Sequence, residues 1–398
     1  MRTFALMLIA SLAAGGCDPR GGSDDRRPPV APIVDADVST TDADVGPPPP
    51  PVDQGPPPAD AGPPPDRLVI ASYNVHNLFD LVDDPQTDEG EYTPGAQWNA
   101  ADFASRVSEL ARVFKALDAD VVAVLEVESE AALTSLRDAI RRDGGPDYGW
   151  LAVSPTRDGR GIRLGVLSRV PIAQAAGRPI GFTYTCEGAD GPVTLDGSRS
   201  EARPIFQVEL ELDGQPGGDL VLFLNHWKAR LDSFPCVDSE HRMRSALQLR
   251  EVIDQFIADD PTRPVIALGD FNTFEFEPPI RTALGAVLDE AELARPADLY
   301  NAWGDLGVEL FNSNSNRRNN ATNSSYNFRG DWTRLDHIFL PATMAEGGAA
   351  SWRHAPGSGG VLHDDFLFNA RGYPLVWGDE GSRGFSDHLP VFVTIERR

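Results

Sequence analysis

The chain has 398 residues, and 60 acidic against 35 basic side chains give it a formal net charge of −25 at pH 7. From that balance a broad basic footprint for duplex DNA is not expected, although local patches matter more than totals.

Residues 1–17, MRTFALMLIASLAAGGC, open with Arg2, continue as an apolar run and end in small residues before Cys17. The run is too short to span a bilayer and reads as a secretory signal. A cysteine straight after small residues resembles a bacterial lipoprotein signal, although Ala14 stands where the usual pattern has a larger aliphatic residue. That resemblance implies lipidation at Cys17 and an exported, membrane-anchored chain on a periplasmic or cell-surface face. Ordinary signal cleavage nearby, with a free Cys17, is the alternative. Residues 18–66 hold 15 of the 34 prolines and almost no large apolar side chains. Burial there cannot offset the ordering entropy, so this segment is expected to be a disordered Pro/Asp-rich linker. Its proline runs favour an extended stalk of at most roughly 150 Å.

Residues 67–398 remain for one large catalytic domain. RLVIASYNV (67–75) reads as a strand ending at Asn74. Residues 99–117 carry Phe103, Val107, Leu110, Val113, Phe114 and Leu117 at helical spacing. VVAVLEV (121–127) is a continuous apolar run of the kind covered on both faces of a sheet, and it ends at Glu126 and Glu128. IRLGVLSR (162–169) and the alternating RPIFQVELEL are further strands, and DLVLFLNHW (219–227) is apolar up to Asn225 and His226. A helix is expected over 240–258. The strand PVIALGDFN follows and presents Asp270 and Asn272. TRLDHIFLP (333–341) carries Asp336 and His337, and HLPVFVTIE closes the chain behind Ser386, Asp387 and His388. In an exported chain, Cys186 and Cys236 are expected to pair as a disulfide, with two unpaired thiols as the alternative.

One strand ending in Asp and Asn would be a turn. Five apolar strands with polar residues at their ends suggest a site, because strand ends of an open sheet converge where α/β folds place chemistry. Carboxylates with amides suit a hard divalent cation, Mg²⁺ above all, with Mn²⁺ or Ca²⁺ as substitutes. No serine elbow, catalytic-looking cysteine or phosphate-binding glycine loop is present. A metal, a carboxylate to position water and histidines to stabilise an oxyanion make a water-based phosphoester hydrolase.

In order, SYNVHNLFD, VLEVES, NHWKA, GDFN, RLDHI and SDHLP resemble the endonuclease/exonuclease/phosphatase superfamily, over essentially all of 67–398. The resemblance implies a four-layer αββα sandwich of two mixed β-sheets flanked by helices. It implies metal binding at Glu126, supported by Asn74 and Asp387. Asp270 would orient or deprotonate the attacking water, with Asn272 fixing that geometry and touching phosphate. His388, held by Asp336, would stabilise charge on the phosphate; His337 is the other candidate for that partnership. His226 would face the phosphate from the opposite side. Arg163 and Lys228 are candidates for phosphate contact. His76 and Glu128 border the motifs and suit solvent equally well.

Three functions stay open: an exported nuclease acting on DNA or RNA, a phosphatase or lipid phosphodiesterase of the same fold, and a non-catalytic surface protein. The intact Glu126, Asp270, Asn272, Asp387 and His388 argue against the last. The loops 80–98, 185–200, 232–240 and 312–330 are expected to choose the substrate.

Overall fold

A computed structural model describes residues 65–398, apart from 85, 96–97, 181–182, 189–190, 197–202, 214–218, 231–234, 308–320, 329 and 379–382. Cys17 and most of the expected linker lie outside the described residues, as do the side chains of Cys186 and Cys236. The elements in chain order are β1 (Arg67–Leu78), α1 (Ala100–Leu117), β2 (Val121–Val127), α2 (Glu130–Arg142), β3 (Trp150–Val153), β4 (Arg163–Ser168) and β5 (Ile172–Arg178). Then come β6 (Thr183–Gly188), β7 (Gly191–Asp196), β8 (Ile205–Leu210), β9 (Leu220–His226), α3 (Pro235–Asp259), β10 (Val265–Asp270), β11 (Ala286–Val287) and β12 (Leu299–Asn301). The last are β13 (Tyr326–Phe328), β14 (Asp331–Thr333), β15 (Asp336–Pro341), β16 (Trp352–His354), β17 (Gly360–Val361) and β18 (Val391–Arg397).

Two mixed sheets form. One runs β16-β18-β1-β2-β4-β3 with β17 added to β18, and the other runs β11-β12-β15-β10-β9-β8-β5. Each has a parallel pair at its centre, β1 with β2 and β9 with β10. Side-chain alternation explains the layering. On β9, Leu222 and Leu224 join the core shared with the first sheet, while Val221 and Phe223 face the cluster under α3. Phe223 meets Phe256 of α3 edge-on, with centroids 5.2 Å apart. On the outer face of the first sheet, Tyr73 meets Phe114 of α1 at 5.9 Å. β2 is buried along its whole length between helices and the second sheet, as its unbroken apolar run requires. The architecture is the αββα sandwich expected from the motifs.

Local signals set the helix starts. Asn99 caps α1 by accepting from the backbone N–H groups of Ala101 and Asp102, and Ser129 caps α2 through Ala132. Several expectations change. α3 begins at Pro235, inside the stretch taken as a loop at 232–240, and β13 lies inside the one at 312–330. The stretch taken as a loop at 185–200 contains most of a hairpin, β6 with β7. The final strand begins at Val391 rather than His388, because residues 386–388 turn inward toward β1. Among the described residues, no helix is long and apolar enough to cross a membrane.

Far along β16, the buried imidazole of His354 lies 2.7 Å from Glu290 and 2.9 Å from Asp305. Burial opposes its charge, but the hydrogen bonds and fields of Asp305 and Glu290 outweigh that and raise its pKa above 6.5. A histidine with a raised folded pKa contributes stability below its unfolded value, and loses it as pH rises through the folded value. The urea midpoint is therefore expected to fall as pH rises from 6.5 upward. His354→Gln should flatten that slope; an unchanged slope would exclude this clamp as its origin.

Candidate active site

The two parallel pairs deliver the site. Register places Asp270 beside His226 on one side and beside Asp336 on the other. On the first sheet, the β2 register shifts around Glu126 and the β1 register shifts between Asn74 and Leu78. Such bulges re-aim side chains at strand ends. Among the described residues five non-glycine positions have positive φ, and four are here: His76 (53°), Asn77 (63°), Glu126 (65°) and Asn272 (47°). Each left-handed residue of this kind costs about 1–3 kcal/mol, so the surrounding structure must hold them. Gly269 (φ 140°) allows β10 to close on β9, since a Cβ there would fall 1.9 Å from the Asn225 carbonyl oxygen.

Asp270 is the hub. Its Oδ2 accepts from Asn74 Nδ2 at 3.2 Å and lies 3.6 Å from His226 Nε2 and 3.8 Å from His388 Nε2. Its Oδ1 accepts from the Asn272 N–H at 2.9 Å. The same Asn74 Nδ2 donates to Glu126 Oε1 at 3.3 Å, which His226 Nε2 approaches to 3.6 Å. Glu126 Oε2 accepts from the Asn77 N–H at 3.2 Å. His388 Nδ1 donates to Asp336 Oδ2 at 2.8 Å. Its backbone N–H donates to Ser386 Oγ, whose hydroxyl donates to the Asn74 carbonyl at 2.7 Å. The loop before β18 is thereby tied to the end of β1.

The electrostatics separate the two histidines. Burial opposes charge on His388, but Asp336, Asp270 and Asp387 overcome it and raise the pKa to about 10. Burial, helped by Arg203 and Arg160, holds His226 well below the ordinary value, so it is neutral. Burial pushes Asp270 up to about 7 against the attraction of His388, with Asp336 and Glu126 adding to the rise. One imidazolium, one neutral imidazole and one carboxylate balanced near neutrality are what acid–base chemistry at pH 7 needs.

A family model described as the Endonuclease/Exonuclease/phosphatase family matches residues 69–397. The chain belongs to that family. No curated protein sequence matches it significantly. Solved structures similar to this family member include TDP2 from Caenorhabditis elegans, 14% identical over 83% of this chain and 75% of that one, with a TM-score of 0.45. A Bacteroides thetaiotaomicron mannosyl-6-phosphatase is 17% identical over 82% and 99%, with a TM-score of 0.49. Danio rerio TDP2 complexed with single strand DNA product is 16% identical over 83% and 100%, with a TM-score of 0.47.

The donor set in this family member fits a hard divalent cation. Asp270, Asp336 and His388 have ligand atoms within 4.8 Å of one another, but His388 Nδ1 is committed to Asp336. The Glu126 carboxylate is buried and meets amide donors at 3.2–3.3 Å and Arg160 Nη2 at 3.8 Å. Beside it, burial and neighbouring carboxylates raise the pKa of Asp270. Carboxylate oxygens of this kind suit a hard divalent cation. Asn74 turns its amide nitrogen to both carboxylates and its oxygen to the His76 N–H, so it orients them.

Other candidates fall differently. His337 is not the partner of His388: Asn301 donates to its Nδ1, its Nε2 donates to the Thr273 carbonyl, and burial lowers its pKa to about 4. Arg163 is not brought to the carboxylates. Its guanidinium donates to the Ser154 carbonyl and lies in the fields of Arg157, Asp84 and Glu128. Lys228 follows Trp227 on the rim, half-buried, with its carbonyl accepting from Arg242. Glu128 is buried, not solvated, and accepts from the Asp80 N–H at 2.6 Å.

Two arginines escaped the sequence reading. Arg160 reaches Asn77 Oδ1 at 3.3 Å as well as Glu126, and only the glycines on either side of it hinted at a turn. Arg106, buried within the apolar face of α1, donates to the carbonyls of Val75, His76, Gly384 and Phe385. It binds the loop carrying Asn77 to the loop carrying His388. Its helical position resembled any surface arginine.

Proposed function

We propose that this chain is an exported, divalent-metal-dependent phosphoester hydrolase, acting as a nuclease on DNA or RNA. The observation that supports it most is the convergence of Asn74, His226 and His388 on Asp270 Oδ2, with Glu126 sharing Asn74 and His226, in a chain of this family. The acidic balance favours single strands and ends over extended duplex. The signal at 1–17, lipidation at Cys17 and the linker at 18–66 belong to the same reading, as an anchor and stalk.

Glu126, oriented by Asn74 and assisted by Asp387, would hold a divalent cation, which would neutralise phosphate charge when bound. Asp270 Oδ2 takes the proton of the attacking water, and Asn272 fixes that carboxylate through its backbone N–H. The P–O bond to the leaving oxygen breaks as the water oxygen bonds to phosphorus. His388, an imidazolium held by Asp336, faces the charge that develops on the phosphoryl oxygens. Neutral His226 hydrogen-bonds the phosphoryl oxygen or the leaving group from the other side. Arg160 leaves Glu126 to meet phosphate.

A lipid phosphodiesterase is the second reading. It is favoured by exposed apolar side chains near the site: Val82 (66%) and Phe276 (53%) on loops that follow site residues, and Phe328 (55%) at the end of β13. The full chain, stripped with EDTA and reloaded with Mg²⁺ or Mn²⁺, is to be offered single-stranded DNA, RNA, plasmid, bis-p-nitrophenyl phosphate and sphingomyelin. Metal-dependent cleavage of nucleic acid is expected. Sphingomyelin hydrolysis without it would move the assignment to lipid, and activity persisting in EDTA would overturn both. Glu126→Gln is expected to raise the half-saturating metal concentration by about tenfold or more, read by titration calorimetry with Mn²⁺.

A further inference from the structure

A cavity of about 750 Å³ opens beside His388, lined by Tyr326, Phe328, Asn369, Arg371, Tyr373 and Asp387 among others. It reaches Asp387, the residue next to His388. The Tyr326 ring lies 4.6 Å from that of His388, and the backbones of the two residues form an isolated β-bridge. The Asn327 N–H donates to the Asp387 carbonyl at 3.4 Å. A group seated in this cavity therefore adjoins the scissile phosphate.

The walls are pre-organised. Asn369 Oδ1 accepts from the N–H groups of Arg371 at 2.9 Å and Tyr373 at 3.2 Å, and its own N–H donates to the Tyr373 carbonyl at 2.8 Å. Asn327 Oδ1 accepts from the Gly330 N–H at 3.1 Å. Gly330 brings the β13–β14 hairpin against the opposite wall, where a Cβ would sit 3.0 Å from the Tyr373 hydroxyl. Such bonding fixes the loops before any ligand arrives, which lowers the ordering cost of binding.

The lining offers both kinds of polar group. Both asparagine oxygens already accept backbone protons, so their amide nitrogens and the Arg371 guanidinium are donors, while Asp387 and the Tyr326 and Tyr373 hydroxyls can accept. Asn327 Nδ2 is buried without a hydrogen-bond partner among the described residues. Three aromatic rings accompany these donors, and Phe328 is 55% exposed although wholly apolar. Donors and acceptors beside π-faces match a flat heteroaromatic group that carries both on its edge. The volume falls within the range of small-molecule sites.

We propose that this cavity is a subsite for the nucleobase of the nucleotide that carries the scissile phosphate, with Phe328 as a stacking face and Arg371 as an edge donor. The assignment rests on the nuclease reading. The test uses the full chain with Mg²⁺ and two measurements. Calorimetry compares thymidine 5′-monophosphate, methyl phosphate and glucose 6-phosphate as ligands. Kinetics compares the p-nitrophenyl ester of thymidine 5′-monophosphate with methyl p-nitrophenyl phosphate as substrates.

Thymidine 5′-monophosphate is expected to bind about tenfold or more tightly than methyl phosphate. Phe328→Ala and Arg371→Ala should each reduce that preference by about fivefold or more, the lower end of what one stacked base contributes. Equal binding of the three ligands, or an affinity ratio unmoved by both substitutions, overturns the subsite. So does tighter binding of glucose 6-phosphate. Hydrolysis of both esters at similar kcat/KM with no base preference removes the subsite and leaves the hydrolase. Base-selective binding lost in Phe328→Ala, with neither ester hydrolysed, keeps the subsite and removes the hydrolase.

Discussion

Asp270→Asn is expected to lower kcat by about 10²- to 10⁴-fold, the range carried by one general base, and to raise the melting temperature. The two effects share one cause. Burial among Glu126, Asp336 and the strand ends lifts the Asp270 pKa to about 7. A carboxyl whose folded pKa lies above its unfolded 3.8 costs stability as pH rises between the two values, and the cost is complete above the folded value. An amide of the same shape carries no such cost and keeps an acceptor for the Asn272 N–H. Loss of turnover with gain of stability is the signature of a residue held for chemistry. In the wild type, the acid limb of the rate profile is expected near pH 7 and should move lower as metal concentration rises, because a cation beside Asp270 favours its charged form. Turnover retained in Asp270→Asn would remove this carboxylate from the mechanism.

The second large effect is at His388. His388→Ala is expected to cost about 10²- to 10³-fold in kcat, as loss of one oxyanion donor does. Asp336→Asn tests the pair more finely. In the wild type, Asp336, Asp270 and Asp387 raise the His388 pKa to about 10 against burial, so the imidazolium persists well above neutrality. Without the Asp336 charge that pKa falls toward the ordinary 6.5. The alkaline limb of kcat should then move from near pH 10 into the neutral range, while activity on the acid side survives in part. An alkaline limb that stays in place would mean that His388 does not act as a cation. Asp336 Oδ1 is buried with no partner among the described residues, so this carboxylate depends on His388 for compensation. Circular dichroism should accompany both variants to separate loss of chemistry from loss of fold.

The family's motifs lie at strand ends, and strand ends are legible because apolar runs stop abruptly there. VVAVLE, VLFLNH and VIALGD each announce a buried strand and the polar residue it delivers. Those stops placed Asn74, Glu126, His226, Asp270 and Asn272 at strand ends and His388 just before the last strand, and the sandwich followed from the family resemblance that the motifs carry. The structure brings these residues together.

Other assignments needed the tertiary structure. β15 is buried along its whole length, so the period-two alternation of a half-buried strand is lost, and sequence cannot say which of two neighbouring residues faces the site. Register decided it, with Asp336 opposite Asp270 and His337 opposite Gly269 beneath the Phe271 ring system. Arg163 shares a strand with site-adjacent residues, yet its long side chain lies with Ser154 rather than the carboxylates. Arg106 sits on α1, far from His388 in sequence, and only packing brings its guanidinium to both loops of the candidate site. The backbone strain at Asn77, Glu126 and Asn272 was equally hidden. Left-handed backbone at residues other than glycine has no compositional sign, because neighbours distant in sequence impose it. Sequence specifies which groups are present and roughly where strands end. Long-range register and side-chain reach decide which of those groups touch.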